Sequence, residues 1–240
     1  MSEPLRIALV AEGPTDYEVI AAALRAVLKQ PFVMTLLQPE ATQPQFGSGW
    51  GGVLKWCHTT SRRHSGPLSQ DPTLSLFDLI ILHLDADVAA KHYADCGPAV
   101  AEMAQAFNWK PLPCHQPCPP AADTCIALQE VLTVWLAPAK VDARTLCCIP
   151  AQSSGTWLAC AVLDPAHALL QGAECNPDLE ARLSQLPKAQ RIKKTVPEYR
   201  RQSVEVTSRW EQVKQLCAQA GAFERAVLTT TTTLLQSRQA

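Results

Sequence analysis

The sequence predicts an α/β fold, with a mainly parallel sheet of about four strands, helices on both of its faces, and a C-terminal helical appendix. Apolar, β-compatible runs at residues 5–11, 32–37, 76–84 and 146–149 alternate with segments of helical spacing. The run 76–84 is continuously apolar, which is typical of a central strand covered on both faces. Strands that alternate with helices indicate a parallel sheet.

The first strand runs directly into a tight turn and a helix. Residues 5–11 are followed by Glu12-Gly13-Pro14-Thr15-Asp16 and then by a helical pattern over residues 17–30. Thr15 or Asp16 is the candidate N-cap of that helix. The carboxyl end of the first strand therefore presents a carboxylate, Glu12.

Further helices are predicted from apolar periodicity and from breaker residues. They cover about residues 50–63, 89–108 with a break at Gly97-Pro98, 121–136, and a segment that begins after Ser153 or Ser154. A loop rich in proline and cysteine separates the second and third of these predicted helices, over residues 111–120.

The pattern divides the chain into three parts. Residues 1–165 form the predicted α/β domain, and residues 166–228 form a basic helical appendix packed on it. Residues 229–240, which begin with a run of five threonines, are predicted to be a frayed tail or an edge strand.

Composition limits the class of protein. The 240 residues are 47% apolar, enough for a core, and the net charge is −1. No apolar run is long enough to span a membrane, and the amino-terminal residues do not resemble a secretory signal. These observations predict a cytoplasmic protein. The charge is unevenly distributed, however. The segment from Arg182 to Lys214 contains nine Lys/Arg and three Asp/Glu, which gives it a local net charge of +6.

The ten cysteines are scattered and mostly lie in apolar segments. In a cytoplasmic chain they are interpreted as small buried apolar residues that form no disulfides. Cys114, His115, Cys118 and Cys125 are the one cluster with a zinc-like spacing, but a second pair of ligands is missing. A loop with incidental cysteines is favoured over a zinc site.

Three carboxylates follow two of the predicted strands. Glu12 ends the first strand, and Asp85 and Asp87 end the run 76–84. The carboxyl ends of parallel strands share one edge of a sheet, so these side chains are expected to converge. Carboxylate oxygens suit Mg²⁺, which predicts a Mg²⁺ or Mn²⁺ site there. The alternative is that each acidic residue only caps the next helix.

Two other signals stay open or are weak. His83 precedes Asp85 by two residues, so it either lies near the site or packs in the core. Gly47, Gly49 and Gly52 fit the dinucleotide pattern G-x-G-x-x-G, but they do not follow the first strand as that motif requires. A glycine-rich start of the second helix is favoured over nucleotide binding.

A strand ending in Glu12-Gly13-Pro14-Thr15-Asp16, followed by a helix and by a later strand ending in Asp85-Ala86-Asp87, resembles the Toprim domain. The later part of the chain is similar to small stand-alone Toprim proteins related to the OLD-family nucleases. The resemblance implies Mg²⁺-dependent phosphodiester chemistry, in which Glu12 transfers a proton while Asp85 and Asp87 hold metal.

The sequence departs from that family at one place. Ser153-Ser154-Gly155-Thr156-Trp157 has no carboxylate where the resemblance implies a second-metal glutamate before the tryptophan. Asp16, Glu18 or Asp164 are the candidate substitutes, so the sequence leaves one or two metals open. The family also implies a phosphate-facing lysine, for which Lys193 and Lys194 are the candidates.

A group of basic residues is predicted to contact a nucleic-acid backbone, although a solvated helical face is the alternative. The group comprises Arg62, Arg63, Lys188, Arg191, Lys193, Arg200 and Arg201.

Three hypotheses about function follow. The first is a Mg²⁺-dependent Toprim nuclease acting on DNA or RNA, in a bacterial anti-phage context. The second is a weakly catalytic or non-catalytic subunit that binds nucleic acid or a partner ATPase, which is consistent with the missing glutamate before Trp157. Because this chain has no Walker motif, any ATP-driven step would need that separate protein. The third is a nucleotidyl- or phosphotransferase. A homo-oligomer is compatible with each of them.

Overall fold

A computed structural model describes residues 3–40, 46–188 and 190–237. Four parallel strands form the main sheet in the order β2-β1-β4-β6. They are β1 (Leu5–Val10), β2 (Phe32–Gln38), β4 (Leu79–His83) and β6 (Thr145–Cys148). A separate parallel pair joins β3 (Gly66–Pro67) to β5 (Ala139–Lys140). The predicted α/β class is confirmed.

Nine α-helices accompany these strands in the described residues. They are α1 (Pro14–Val27), α2 (Trp50–Arg63), α3 (Pro98–Ala106), α4 (Ala121–Leu136), α5 (Ser154–Val162), α6 (Leu179–Leu183), α7 (Val196–Ser208), α8 (Trp210–Leu216) and α9 (Ala218–Ser237). None of the described helices is both long and apolar enough to cross a lipid bilayer.

Side chains alternate across the sheet, so each strand contributes to two cores. Leu5, Ile7 and Leu9 of β1 pack with α1, α5 and the C-terminal helices α7–α9. Ala8 and Val10 face the opposite side, where α2 and α4 lie. All five residues of β4 are buried, as predicted for a central strand.

Several predicted boundaries were wrong. The first helix begins at Pro14 with Gly13 as its N-cap, because proline suits the first helical turn; neither Thr15 nor Asp16 caps it. The third long strand begins at Leu79, since Leu76 lies in a turn and is exposed. Residues 89–97 form 3-10 turns and loop, and a helix follows only after Gly97.

The predicted tail is a helix. α9 continues through the threonine run, contrary to the expected frayed tail or edge strand. β-Branched residues are weak helix formers, but packing overrides this preference. Val227 and Thr231 are buried, and the Thr231 hydroxyl donates to the Val227 carbonyl oxygen at 2.8 Å. Residues 238–240 lie outside the described residues.

Two cysteines form a disulfide, which contradicts the prediction that none does. Cys118 in the proline-rich loop is bonded to Cys175, 57 residues later, in the segment before α6. This bond removes Cys118 from the cluster with zinc-like spacing, and Cys125 is buried on α4. No cysteine belongs to a metal-ligand cluster in the part of the chain that the structure describes.

Candidate metal centre

The carboxyl ends of β1 and β4 are adjacent, because these strands pair in parallel with Val10 opposite Leu82. Glu12 lies two residues after the end of β1, and Asp85 lies two residues after the end of β4. The Glu12 Oε1 atom accepts a hydrogen bond from the Asp85 backbone N–H at 2.8 Å. Ligand atoms of Glu12, Asp85 and Asp87 lie within 4.8 Å of one another. The structure thus brings together the three carboxylates that the sequence predicted to converge.

A second group overlaps the first and lies deeper. It contains Asp16 on α1, His83 at the end of β4, and Asp85, with ligand atoms again within 4.8 Å of one another. All three residues are buried. Asp85 therefore belongs to both groups, and His83 lies in the site.

Helix α5 connects the carboxylates of two different elements. The backbone N–H of Ser154, in its first turn, donates to Asp85 Oδ1 at 2.9 Å. The Ser154 hydroxyl donates to Asp16 Oδ1 at 2.6 Å. A helix amino terminus stabilises negative charge, so α5 orients and supports both carboxylates.

Burial and mutual repulsion raise the pKa values of the central carboxyl groups. The pKa of Glu12 lies well above its usual range, first because the group is buried and then because Asp85 is close. Burial and the neighbouring Asp16 raise the pKa of Asp85 to about 6, against the lowering effect of His83. Asp87 is exposed at the rim, and its Oδ2 lies 3.5 Å from the Lys91 Nζ.

Glu180 of α6 lies against the first turn of α5, a turn that has no acidic residue of its own. Its side chain lies directly over Gly155, where a Cβ added to the glycine would be 2.3 Å from Glu180 Oε1. The Tyr199 hydroxyl donates to Oε1 at 2.5 Å, and Lys194 Nζ donates to Oε2 at 2.9 Å. Its charge contributes to the raised pKa values of Asp85 and Asp87.

Of the two candidate lysines, Lys194 is the one that contacts this cluster. Partial burial alone would lower its pKa, but Glu180, Asp85 and Asp16 raise it above the usual range. Lys193 is exposed and lies near Glu198. The other proposed carboxylates lie elsewhere: Glu18 accepts from Arg200, and Asp164 is exposed beyond the end of α5.

The remaining basic residues do not converge on the site. Arg63 is paired with Asp71 at 3.0 Å, and Arg62 and Arg63 both lie in the last turn of α2. The other end of α2 is the one near the site, because the N–H of its N-cap Gly49 donates to the Glu12 carbonyl oxygen. Arg200 is paired with Glu18 at 2.8 Å. Lys188, Arg191 and Arg201 line a cleft of about 380 Å³ beside Val162, at the far end of α5.

Sequence reasoning missed Glu180, Ser154 and Tyr199. Ser154 was considered only as a helix cap, and the sequence left the role of His83 open. Nothing in the local pattern around Glu180 indicates a site, because its approach to Gly155 depends on how the C-terminal helices pack. The only indication in the sequence is Gly155, whose lack of a side chain leaves space for another residue to pack against α5.

Gly155→Ala is expected to displace Glu180. The new methyl group would collide with three Glu180 side-chain atoms at 2.3–2.5 Å, so the carboxylate must leave Tyr199 and Lys194. We expect the free energy of unfolding to fall by about 1–3 kcal/mol in urea denaturation.

Gly221→Ala is the matched control for that substitution. It lies in helix α9, and the added Cβ would meet only Arg225 Nη1, at 3.4 Å. It should leave stability unchanged or raise it by up to about 1 kcal/mol, since alanine favours helices. Equal effects of the two variants would contradict the packing described for Glu180.

Comparison of the chain with protein-family models, with curated proteins and with solved structures finds no match. The resemblance to Toprim domains therefore rests on the sequence motifs themselves, above all those around Glu12, Asp85 and Asp87.

Proposed function

We propose that this chain is a divalent-metal-dependent nuclease of the Toprim type, which cleaves or nicks phosphodiester bonds in DNA or RNA. The observation that supports it most is the convergence of Glu12, Asp85 and Asp87 at one edge of a parallel sheet. Ligands of α/β proteins bind at this edge. Lys194 adds a cation beside the carboxylates.

The side chains fit a divalent cation. Burial, and then the neighbouring carboxylates, raise the pKa values of Glu12 and Asp85, and a bound cation would favour the charged form of both groups. Glu12, Asp85 and Asp87 would hold the ion. A bound Mg²⁺ or Mn²⁺ would supply polarisation of a phosphoryl oxygen and stabilisation of the leaving oxygen.

Side chains of this protein would transfer the proton and bind the substrate. Burial, and then the nearby Asp85, raise the pKa of Glu12 well above its usual range, so this carboxyl group holds a proton more readily than an ordinary glutamate, as a general acid requires. Lys194 can attract a phosphate group to the rim, where Asp87 is exposed. A cavity of about 200 Å³ adjoins Asp87 and offers polar groups from His115, Gln116 and Gln152 to a substrate.

The resemblance adds two wider parts to the proposal, a role in bacterial anti-phage defence and a separate ATPase partner. Backbone contact at the cleft of Lys188, Arg191 and Arg201 is a further part. That cleft lies beyond the far end of α5, so only an extended substrate could reach it from the site.

Incubation with supercoiled plasmid and with total tRNA tests the proposal. Wild type is compared with Asp85→Ala and Glu12→Ala, each with Mg²⁺, with Mn²⁺ and with excess chelator. We expect metal-dependent cleavage of at least one substrate by wild type and its loss in both variants. Asp123→Ala, an exposed change on α4, is the control and should cleave normally.

Cleavage that survives in Asp85→Ala would contradict the assignment and point to a contaminating nuclease. Absence of cleavage by wild type on both substrates would favour the alternative of a non-catalytic subunit that binds nucleic acid or a partner ATPase.

A further inference from the structure

His83 has an unusual environment for a buried histidine. It is the last residue of β4 and is fully buried. Neither ring nitrogen has a hydrogen-bond partner among the described residues. A buried polar group without a partner is costly, and buried imidazoles are normally hydrogen-bonded. The hydrogen-bonding capacity of the His83 ring is therefore not used by the described residues.

The position of the ring indicates which partner would use that capacity. His83 Nε2 lies 3.0 Å from Asp85 Oδ1, yet the contact is not aligned as a hydrogen bond. Two ligand atoms that bind one ion at about 2.1 Å, at right angles, are about 3 Å apart. Asp16 is the third member of the group, in which one ligand atom from each residue lies within 4.8 Å of the other two.

Ser154 holds the two carboxylates of this group in place. It donates through its hydroxyl to Asp16 and through its backbone N–H to Asp85. Outer groups of this kind orient the ligands of metal sites and are needed for full affinity. The deeper group thus has two oriented carboxylates, one imidazole that makes no aligned hydrogen bond, and almost no exposure to solvent.

We propose that Asp16, His83 and Asp85 form a mixed nitrogen and oxygen site for a first-row transition ion, with His83 as a direct ligand. The proposal rests on the metal-dependent function above and assigns the ion that the deeper position takes. Mg²⁺ prefers oxygen ligands and keeps several waters, which a buried site with an imidazole does not favour. An imidazole nitrogen favours transition ions.

Pulsed EPR of the Mn²⁺-loaded wild-type protein tests the proposal directly, because it detects hyperfine coupling to a bound nitrogen. We expect such coupling in wild type and its loss in His83→Gln. Titration should show Mn²⁺ binding weakened on the order of 100-fold in His83→Gln. Mg²⁺ binding should change by less than about threefold. His92→Gln, a change at an exposed histidine outside both ligand groups, is the control and should match wild type.

The wild-type spectrum decides the question even where His83→Gln fails to fold. Mn²⁺ bound without nitrogen coupling would overturn the inference, and His83 would then be only a cationic partner of the carboxylates. In that case metal-dependent cleavage would still leave the proposed nuclease standing. Nitrogen coupling in a protein that cleaves neither plasmid nor tRNA would support the mixed site and contradict the nuclease. Absence of Mn²⁺ binding would contradict both.

Discussion

Asp85→Asn is expected to abolish metal-dependent cleavage and, without metal, to make the protein more stable than wild type. Asp85 belongs to both ligand groups, so the loss of its charge should lower the cleavage rate by roughly 10³-fold or more. In the metal-free protein the same charge is unfavourable, because burial and Asp16 raise its pKa to about 6. An asparagine keeps the oxygen that accepts from Ser154 and removes the repulsion.

The stability effect has a defined pH dependence. A carboxyl group whose pKa is raised on folding binds its proton more tightly in the native state, so it costs stability as pH rises through the folded value. At pH 8 and without metal, we expect the free energy of unfolding of Asp85→Asn to exceed that of wild type by about 1–3 kcal/mol. Near pH 4 this difference should shrink.

Urea denaturation at the two pH values, with chelator and then with Mn²⁺, measures both effects. Added Mn²⁺ should stabilise wild type and leave Asp85→Asn nearly unchanged. Asp123→Asn, on the exposed face of α4, should shift neither curve by more than about 0.5 kcal/mol. A variant less stable than metal-free wild type at pH 8 would show that the Asp85 carboxylate is stabilising.

Trp157→Ala should lower the free energy of unfolding more than Gly155→Ala does. Trp157 on α5 is 1% exposed and packs against Trp210 and Phe223, each with a ring-centroid distance of 5.5 Å. It therefore joins the sheet domain to the C-terminal helices. Removal of a buried tryptophan side chain costs about 3–5 kcal/mol.

Thermal and urea unfolding, followed by circular dichroism and by intrinsic fluorescence, measure this loss. Because strands and C-terminal helices share one core, both probes should report one transition for wild type. Val204→Ala, an exposed change on α7, should alter stability by less than about 0.5 kcal/mol. Two separate transitions for wild type would contradict a shared core.

The sheet and its carboxylate edge were predictable from the sequence because the cause is local. Continuous apolar runs mark buried strands, and their carboxyl ends coincide in any parallel sheet. Glu12 and Asp85 are placed by that rule alone. The start of β4 was wrong because Leu76 is apolar and yet exposed, and apolarity does not distinguish a strand from the turn before it.

The features that could not be predicted from the sequence depend on packing between distant segments. Glu180 reaches the site only because α6 lies over Gly155, and Cys118 meets Cys175 only after the proline-rich loop has folded back. The threonine run of α9 is helical because one of its faces is buried, which opposes its local preference. None of these contacts has a periodic signal in the sequence.

The hydrogen bond between Asp16 and Ser154 joins residues 138 positions apart, and this separation has a consequence during synthesis. A nascent chain folds from its amino terminus as it leaves the ribosome. β1 emerges first, but its partner β4 and the α5 terminus that orients both carboxylates are made much later. Lys194 and Tyr199 follow later still. We therefore expect the proposed site to stay incomplete during translation until the residues around Lys194 and Tyr199 have been made.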